Sequence, residues 1–192
     1  LCDQVAWLDH GRLMGVGSAA ELVDDYVDES MADRGTGGSS EPSEHGRFGS
    51  GEAKVERVEV LDADGVPTTE VRTGDPMTIR LHYRADQRVE RPVFGLAVEA
   101  LDGTYVWAYH SRDGGRDFPA IQGTGSVDCA VPRLPLAPGT FDVTASVVDW
   151  TTQHTYDLRR QTVRFDVHAG APRESGGLVV MDATWGQTTG ER

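Results

Sequence analysis

The sequence predicts an all-β protein whose main part is an antiparallel immunoglobulin-like β-sandwich. Two observations predict this class. From Glu52 onward, short stretches of alternating apolar and polar residues recur, which is the periodicity of strands with one buried face. Turns rich in Gly, Pro and Asp separate these stretches, so the pattern indicates about seven to nine short strands. A short β-hairpin and helix and a flexible linker are predicted to precede the sandwich.

The first segment, residues 1–31, reads as strand, turn, strand and helix. The apolar run "VAWL" and the residues "RLM" flank the turn signal "DHG". Ser18 is a candidate N-cap and Glu21 completes a capping box. The residues "LV" at 22–23 and "YV" at 26–27 then form one apolar helical face. This segment is too short to bury a core alone, so we expect it to belong to a larger domain.

The second segment, residues 32–51, is predicted to be a flexible linker. Its sequence, "ADRGTGGSSEPSEHGRFGSG", is rich in Gly, Ser and charge and contains almost no aliphatic side chain. Such a composition cannot bury enough apolar surface to offset the loss of chain entropy.

The third segment, residues 52–186, is the predicted sandwich, and residues 187–192 are a predicted disordered tail. The clearest strand is "DPMTIRLHYRA", in which Met77, Ile79, Leu81 and Tyr83 alternate with polar residues. Comparable patterns predict strands in "KVERVEVL", "PVFGLAVEA", "TYVWAYH", "TFDVTASVV" and "VRFDV". A last short strand is predicted in "GLVVMDATW", behind a Gly- and Pro-rich stretch.

Composition excludes several function classes. The net charge is −13, and phosphate binding requires clustered Lys or Arg, so nucleic acid is not an expected partner. No window has the apolar length of a bilayer-spanning helix. Cys2 and Cys129 form no CxxC pair, so neither a zinc site nor a disulfide framework is expected.

The first segment resembles the C-terminal end of an ABC-transporter ATPase domain. The matching residues are Cys2, Asp3, Gly11, Arg12, Gly17, Glu21 and Leu22. The chain has no GxxxxGK[ST] loop, signature motif or switch histidine, so we expect it not to hydrolyse ATP and assign it no catalytic residue. The resemblance implies that ATP and Mg²⁺ bind in an ATPase domain that precedes Leu1 in a longer protein.

The third segment resembles the C-terminal domain of Wzt-type ATPase subunits, which export O-antigen and related polysaccharides. The resemblance rests on the order and spacing of "VEVLDADG", "VRTGDPMTIRLHYRA", "RPVFGLAVEALDG", "LPLAPGTFDVTASVVD" and "GLVVMDATW". It implies a non-catalytic module that binds an undecaprenyl-linked glycan in the cytoplasm, at the inner face of the membrane, beside a permease subunit. It also implies a homodimer, in which the terminal strand with Trp185 can exchange between copies. The alternative is a structural module that dimerises the ATPase and binds no sugar.

Carbohydrate recognition requires aromatic faces for the C–H side of a sugar and planar polar groups for its hydroxyls. The first candidate site is "TYVWAYHSRDGGRD". If Val106 and Ala108 face the core, three aromatic residues form a ladder on the other face and three polar residues form its rim. These residues are Tyr105, Trp107, Tyr109, His110, Arg112 and Asp113. The residues on both faces of this strand are apolar, so the alternation does not decide which face is buried. The alternative is that the aromatic residues lie in the core or in a dimer interface.

The second candidate site is the loop "VVDWTTQHTYDLR", where Trp150, His154 and Tyr156 form a polar and aromatic rim. Its alternative is a hairpin turn with a capping Asp149. The third candidate is the face that carries "RLHYR" at residues 80–84, which is read more simply as a solvated face paired with carboxylates. The chain's acidity favours a neutral or mildly charged polysaccharide, although a local arginine cluster would override it.

Single motifs offer two further alternatives. A glycosidase would use paired carboxylates such as Asp149 and Asp157, but the sequence fixes no separation between them. "DADG" at residues 62–65 matches the start of a calcium loop and also matches a plain turn. It lacks the remaining ligands of such a loop, so we expect a turn and no metal.

Overall fold

The computed structural model describes residues 5–9, 12–18, 47–172, 176–181 and 183. The chain divides into two compact units, Leu1–Glu41 and Pro42–Arg192. In the first unit, β1 (Val5–Asp9) pairs antiparallel with β2 (Arg12–Gly17), which confirms the predicted hairpin. The helix predicted after Ser18 lies outside the described residues.

The second unit is a β-sandwich, which confirms the predicted fold class. Its larger sheet has the order β3-β11-β10-β7-β8, and β5 pairs in parallel with β11. Its smaller sheet has the order β4-β6-β9, and all its pairs are antiparallel. The strands are β3 (Arg47–Phe48), β4 (Ala53–Leu61), β5 (Glu70–Arg72), β6 (Met77–Glu90), β7 (Val93–Ala100), β8 (Tyr105–His110), β9 (Ala120–Val131), β10 (Gly139–Val148) and β11 (Thr155–His168).

The core lies between the two sheets and follows the predicted alternation. Met77, Ile79 and Leu81 of β6 are buried, and the intervening polar residues face outward. The larger sheet contributes Phe94, Leu96 and Val98 of β7 and the alternating apolar residues of β10. Since side chains along a strand alternate between faces, this periodicity alone was enough to place the core.

The sandwich begins inside the segment predicted to be a linker. Arg47 and Phe48 pair with Arg159 and Leu158 of β11. Two nitrogens of Arg47 each donate to a carboxylate oxygen of Asp157 over 2.9 Å. Asp157 also accepts a hydrogen bond from the backbone nitrogen of Val55 over 2.6 Å, so its carboxylate connects both sheets. The predicted linker boundary at Gly51 was therefore several residues too late, because the partner of Arg47 lies far away in sequence.

The C-terminal segment pairs with the stretch that precedes β10. Val180 N donates to Pro135 O over 2.6 Å, and Ala137 N donates to Leu178 O over 3.0 Å. These bonds flank an antiparallel bridge between Leu136 and Val179. In place of the predicted last strand the structure has this single bridge at Val179, and Trp185 lies outside the described residues. Exchange of this strand between copies stays a prediction.

No membrane-crossing helix, judged by length and apolar character, occurs in the described part of the chain.

Candidate functional site

Three connections between strands meet at one end of the sandwich, which we call the loop end. They are the β6–β7 turn (residues 91–92), the β8–β9 connection (residues 111–119) and the β10–β11 connection (residues 149–154). Arg91 N donates to Pro119 O over 3.0 Å, and Ser111 N donates to Phe94 O over 2.8 Å. Arg112 Nη1 donates to Trp150 O over 2.5 Å. This last contact joins the two candidate sites that the sequence had kept separate.

The aromatic residues of β8 do not form the ladder of Tyr105, Trp107 and Tyr109 that would follow if Val106 and Ala108 faced the core. Trp107 lies opposite Val98 and Tyr109 opposite Leu96, so both share the core-facing side of the sheet. A register shift then places Tyr105 opposite Glu99, on the outer face, with 62% of its surface exposed. The predicted ladder was therefore wrong in placing Tyr105 beside Trp107 and Tyr109, because a β-bulge changes which residues share a face and leaves no signal in the alternation. Sugar binding by Tyr105 stays a prediction.

Trp107 and Tyr109 form a pair at the open edge of the sandwich. Their rings stack with centroids 5.5 Å apart and planes inclined by 24°. Trp107 packs against the core, whereas Tyr109 remains 41% exposed. A Cβ at Gly114 would lie 2.6 Å from the Tyr109 hydroxyl oxygen, so the absence of a side chain there lets the loop approach the ring. Trp107 is therefore held in place by the core, and the Tyr109 ring that stacks on it is accessible.

A cavity of about 100 Å³ lies between β7–β8 and β6–β9, beside Tyr109. Apolar side chains such as Phe94, Leu96 and Phe118 line most of it, and Ser111, Arg116 and Asp128 supply polar groups. An apolar cavity of ~150 Å³ accepts a benzene ring. The smaller volume here suits a substituent or the edge of a ring better than a whole sugar.

Cys129 also lines this cavity, and burial raises the pKa of its thiol. A thiol with a raised pKa stays protonated near neutral pH and is a poor nucleophile. Cys129 therefore lines the cavity as a neutral group.

Two arginines lie near the Trp150 indole at the loop end. The guanidinium carbon of Arg91 lies 3.7 Å from the centroid of the indole, and that of Arg112 lies 5.7 Å away. Cations over an aromatic face are attracted by the ring quadrupole, and arginine also stacks on the ring. Arg91 was not predicted from the sequence, because its partner Trp150 belongs to a different connection.

Asp149 shapes the connection that carries Trp150. Its carboxylate accepts hydrogen bonds from the backbone nitrogens of Gln153 and His154, each over 2.9 Å, and from Thr151. Burial acts to raise the pKa of Asp149, but these hydrogen bonds outweigh it and hold the pKa below its ordinary value. Asp157 is bound to Arg47 and Val55. Both carboxylates considered for a glycosidase are thus occupied by protein donors, so the geometry offers no support for that alternative.

The remaining predicted site residues have contacts of their own. His110 Nδ1 lies 3.7 Å from an oxygen of Asp113, and the His110 ring covers Gly95 on the outer face of the sheet. His154 Nε2 lies 2.8 Å from the Ser50 hydroxyl, and its ring meets Tyr156 edge-on at 5.0 Å. Tyr156 packs against the core. Burial, followed by the charges of Asp149 and Glu52, raises the pKa of Tyr156.

The face that carries residues 80–84 is a solvated face paired with carboxylates, as its simpler interpretation predicted. Two nitrogens of Arg80 donate to Asp128 over 2.7 and 2.8 Å. His82 Nε2 lies 2.6 Å from a carboxylate oxygen of Glu59. These groups already satisfy one another and form no open site.

The turn at residues 62–65 is closed by its own first residue. The Asp62 carboxylate accepts hydrogen bonds from the backbone nitrogens of Asp64 and Val66, each over 2.9 Å. This is the arrangement of an Asx turn.

The fold and the loop end together define an immunoglobulin-like β-sandwich module with aromatic and arginine side chains at one end. The sequence profile of the Wzt C-terminal domain family matches residues 44–181, and the chain belongs to this family. Family membership implies a component of a polysaccharide ABC transporter. The resemblance of residues 1–31 to an ATPase domain lies outside the matched range and stays a prediction.

A solved structure supports this fold. A crystal structure of the C-terminal domain of Wzt matches with a TM-score of 0.65 and 17% identity, covering 80% of this chain and 93% of that chain. An immunoglobulin-like protein from Pseudomonas aeruginosa matches with a TM-score of 0.34 and 15% identity, covering 61% of this chain and 97% of that one. The first match supports the fold alone, and the second is too weak to support an argument. A search of curated protein sequences finds no significant match.

Proposed function

We propose that this domain is the cargo-binding module of a polysaccharide exporter and binds the lipid-linked glycan in the cytoplasm without catalysing a reaction. The observation that carries the proposal is the Trp107–Tyr109 stack beside the cavity at the loop end. An accessible aromatic ring receives the C–H face of a sugar, and nearby guanidinium and hydroxyl groups bind its hydroxyls. The module would act beside a permease subunit, and two copies in a homodimer would raise a weak affinity through avidity.

The test is a calorimetric titration of the chain with the cell-surface polysaccharide of its own source. Tyr109→Ala removes the exposed ring, and we expect a loss in affinity of about two- to twelve-fold, which corresponds to the ~0.5–1.5 kcal/mol of an aromatic contact. Tyr105→Ala is the matched control, because it removes a more exposed tyrosine of the same strand from the opposite face. We expect the control to bind like the wild type.

The titration also separates the alternatives. If Tyr105→Ala weakens binding and Tyr109→Ala does not, the site lies on the outer face of the sheet. If the wild-type chain binds no polysaccharide, the cargo proposal fails and a structural dimerisation module becomes the better hypothesis.

A further inference from the structure

Three arginines gather at the loop end of an otherwise acidic chain. Arg91 lies in the β6–β7 turn, and Arg112 and Arg116 lie in the β8–β9 connection. The same connections carry the carboxylates of Asp113, Asp117 and Asp149, so the loop end has no net charge within a protein of net charge −13. The loop end is therefore a local exception to the charge of the whole chain.

The guanidinium groups of this cluster are fixed mainly by aromatic and backbone contacts. Arg91 stacks on Trp150, and its Nη2 lies 3.3 Å from Asp117. Arg112 is held by Trp150 O, and its Nε lies 3.5 Å from Asp113. Arg116 lies over the Phe118 ring at 5.5 Å. Among the residues that the structure describes, no carboxylate pairs with Arg116.

Other arginines of the sandwich have guanidinium groups that are paired with a carboxylate through two hydrogen bonds. Arg47, Arg80 and Arg164 each place two nitrogens 2.7 to 2.9 Å from the oxygens of one carboxylate. Such a bidentate pair uses the edge of the guanidinium that an incoming anion would otherwise occupy. In the cluster of Arg91, Arg112 and Arg116, the carboxylates make at most one long contact with each arginine.

A guanidinium fixed by its flat face keeps its N–H edge available. The group has five N–H donors in a planar fork that matches a carboxylate or phosphate. The stacking of Arg91 on Trp150 uses the face of the guanidinium and reduces the rotamer freedom that binding would otherwise have to remove. Arg116 also lines the cavity beside Tyr109, so an anion at this cluster would lie next to the predicted sugar contact.

We infer that Arg91, Arg112 and Arg116 form an anion subsite that selects a glycan carrying a carboxylate or phosphate group. The inference rests on the proposed function for the identity of the polymer and differs from the neutral cargo that the overall charge favours. The acidic remainder of the domain repels a densely charged polyanion, so the subsite suits an isolated acidic group on one sugar.

The first experiment uses small probes and the full chain. Methyl glucuronide, glucose 6-phosphate and methyl glucoside are titrated separately while the arginine Nε–H signals are followed by NMR. We expect the anionic probes to shift the signals of the cluster and the neutral glucoside to leave them unchanged. Arg91→Gln combined with Arg116→Gln should abolish the shifts, whereas Arg84→Gln, at an exposed ion pair with Asp86, is the matched control. Equal or absent shifts with all three probes would overturn the inference.

The second experiment uses the polysaccharide of the source in native, carboxyl-reduced and dephosphorylated forms. The treatment that removes the recognised group should weaken binding about ten-fold, as expected for the loss of a charge-assisted hydrogen bond. This comparison distinguishes a carboxylate from a phosphate. Raising the salt from about 50 to about 300 mM should also weaken binding of the native polymer, because salt screens exposed charges.

The outcomes separate this inference from the proposed function. If Tyr109→Ala weakens polymer binding but neither chemical treatment nor salt does, the anion subsite is wrong and the cargo proposal stands. If the polymer does not bind but the anionic probes do, the subsite stands and the cargo proposal fails. Binding to phosphatidylglycerol vesicles that exceeds binding to the polymer, and that the double variant loses, would assign the cluster to a lipid headgroup and overturn the glycan assignment.

Discussion

Replacing Arg47 with alanine should destabilise the sandwich strongly, although Arg47 lies in a stretch that reads as a linker. The Asp157 side chain is only 3% exposed and receives two hydrogen bonds from Arg47 and one from Val55. Without Arg47, the buried carboxylate keeps a single donor among these partners. Removing one member of a buried ion pair destabilises a protein by ~3–5 kcal/mol. Because Arg47 is itself 27% exposed, we expect a value near ~3 kcal/mol, at the low end of that range.

Urea unfolding followed by tryptophan fluorescence measures this change. With an m-value of about 2 kcal/mol/M, a loss of ~3 kcal/mol lowers the midpoint by about 1.5 M. Arg84→Ala is the control, because Arg84 and Asp86 form an ion pair whose side chains are 53% and 61% exposed. An exposed pair contributes below ~1 kcal/mol. If both variants unfold at the same urea concentration, Arg47 does not anchor the sandwich and the boundary at Arg47 is wrong.

Two other buried or bonded carboxylates give predictions of opposite sign. Glu99→Gln should stabilise the domain by ~1 kcal/mol in urea unfolding, because Glu99 Oε1 is buried without a described hydrogen-bond partner and Glu99 lies directly opposite the carboxylate of Asp142. The exposed Glu90→Gln is its control, and a destabilised Glu99→Gln variant would contradict the reasoning. Asp149→Asn should destabilise the domain by ~1 kcal/mol at neutral pH, because the amide replaces a charged acceptor. Since the folded-state pKa of Asp149 lies below its ordinary value of 3.8, this stabilisation is present above pH 3.8 and is lost as the pH falls through the folded-state pKa. A difference between wild type and Asp149→Asn that persists in more acidic urea titrations would refute this linkage.

The core of the sandwich was predictable because the burial of a strand residue follows from the alternation of apolar and polar residues next to it in the sequence. Met77, Ile79 and Leu81 alternate with polar residues, and each decision about a face needs only its immediate neighbours. The same rule failed at Tyr105, where a bulge shifts the register between β7 and β8. A bulge depends on the partner strand, so the alternation within β8 could not reveal it.

The composition of the loop end was less predictable, because its contacts join connections that are distant in sequence. Arg112 and Trp150 were each predicted as site residues, but their hydrogen bond and the stacking of Arg91 on Trp150 depend on three connections meeting. An arginine before a proline at a strand start resembles any solvated turn residue. Only the fold shows that Arg91 has an aromatic surface beneath it and that Arg47 has a buried carboxylate beside it.

The exchange of the terminal strand can be tested through the bridge between Leu136 and Val179. The hydrogen bonds Val180 N to Pro135 O and Ala137 N to Leu178 O flank this pair, so it is a non-hydrogen-bonded antiparallel pair, in which the Cα atoms lie close together. That spacing falls within the range that a disulfide accepts. The variant carries Leu136→Cys and Val179→Cys, with Cys2 and Cys129 replaced by Ser. If the strand is exchanged, as the family resemblance implies, oxidation joins two chains and non-reducing electrophoresis shows a covalent dimer. A quantitatively oxidised band at the single-chain mass of 20.8 kDa would show that the strand packs within its own chain. Each single-cysteine variant controls for random cross-linking, since neither can form this bridge.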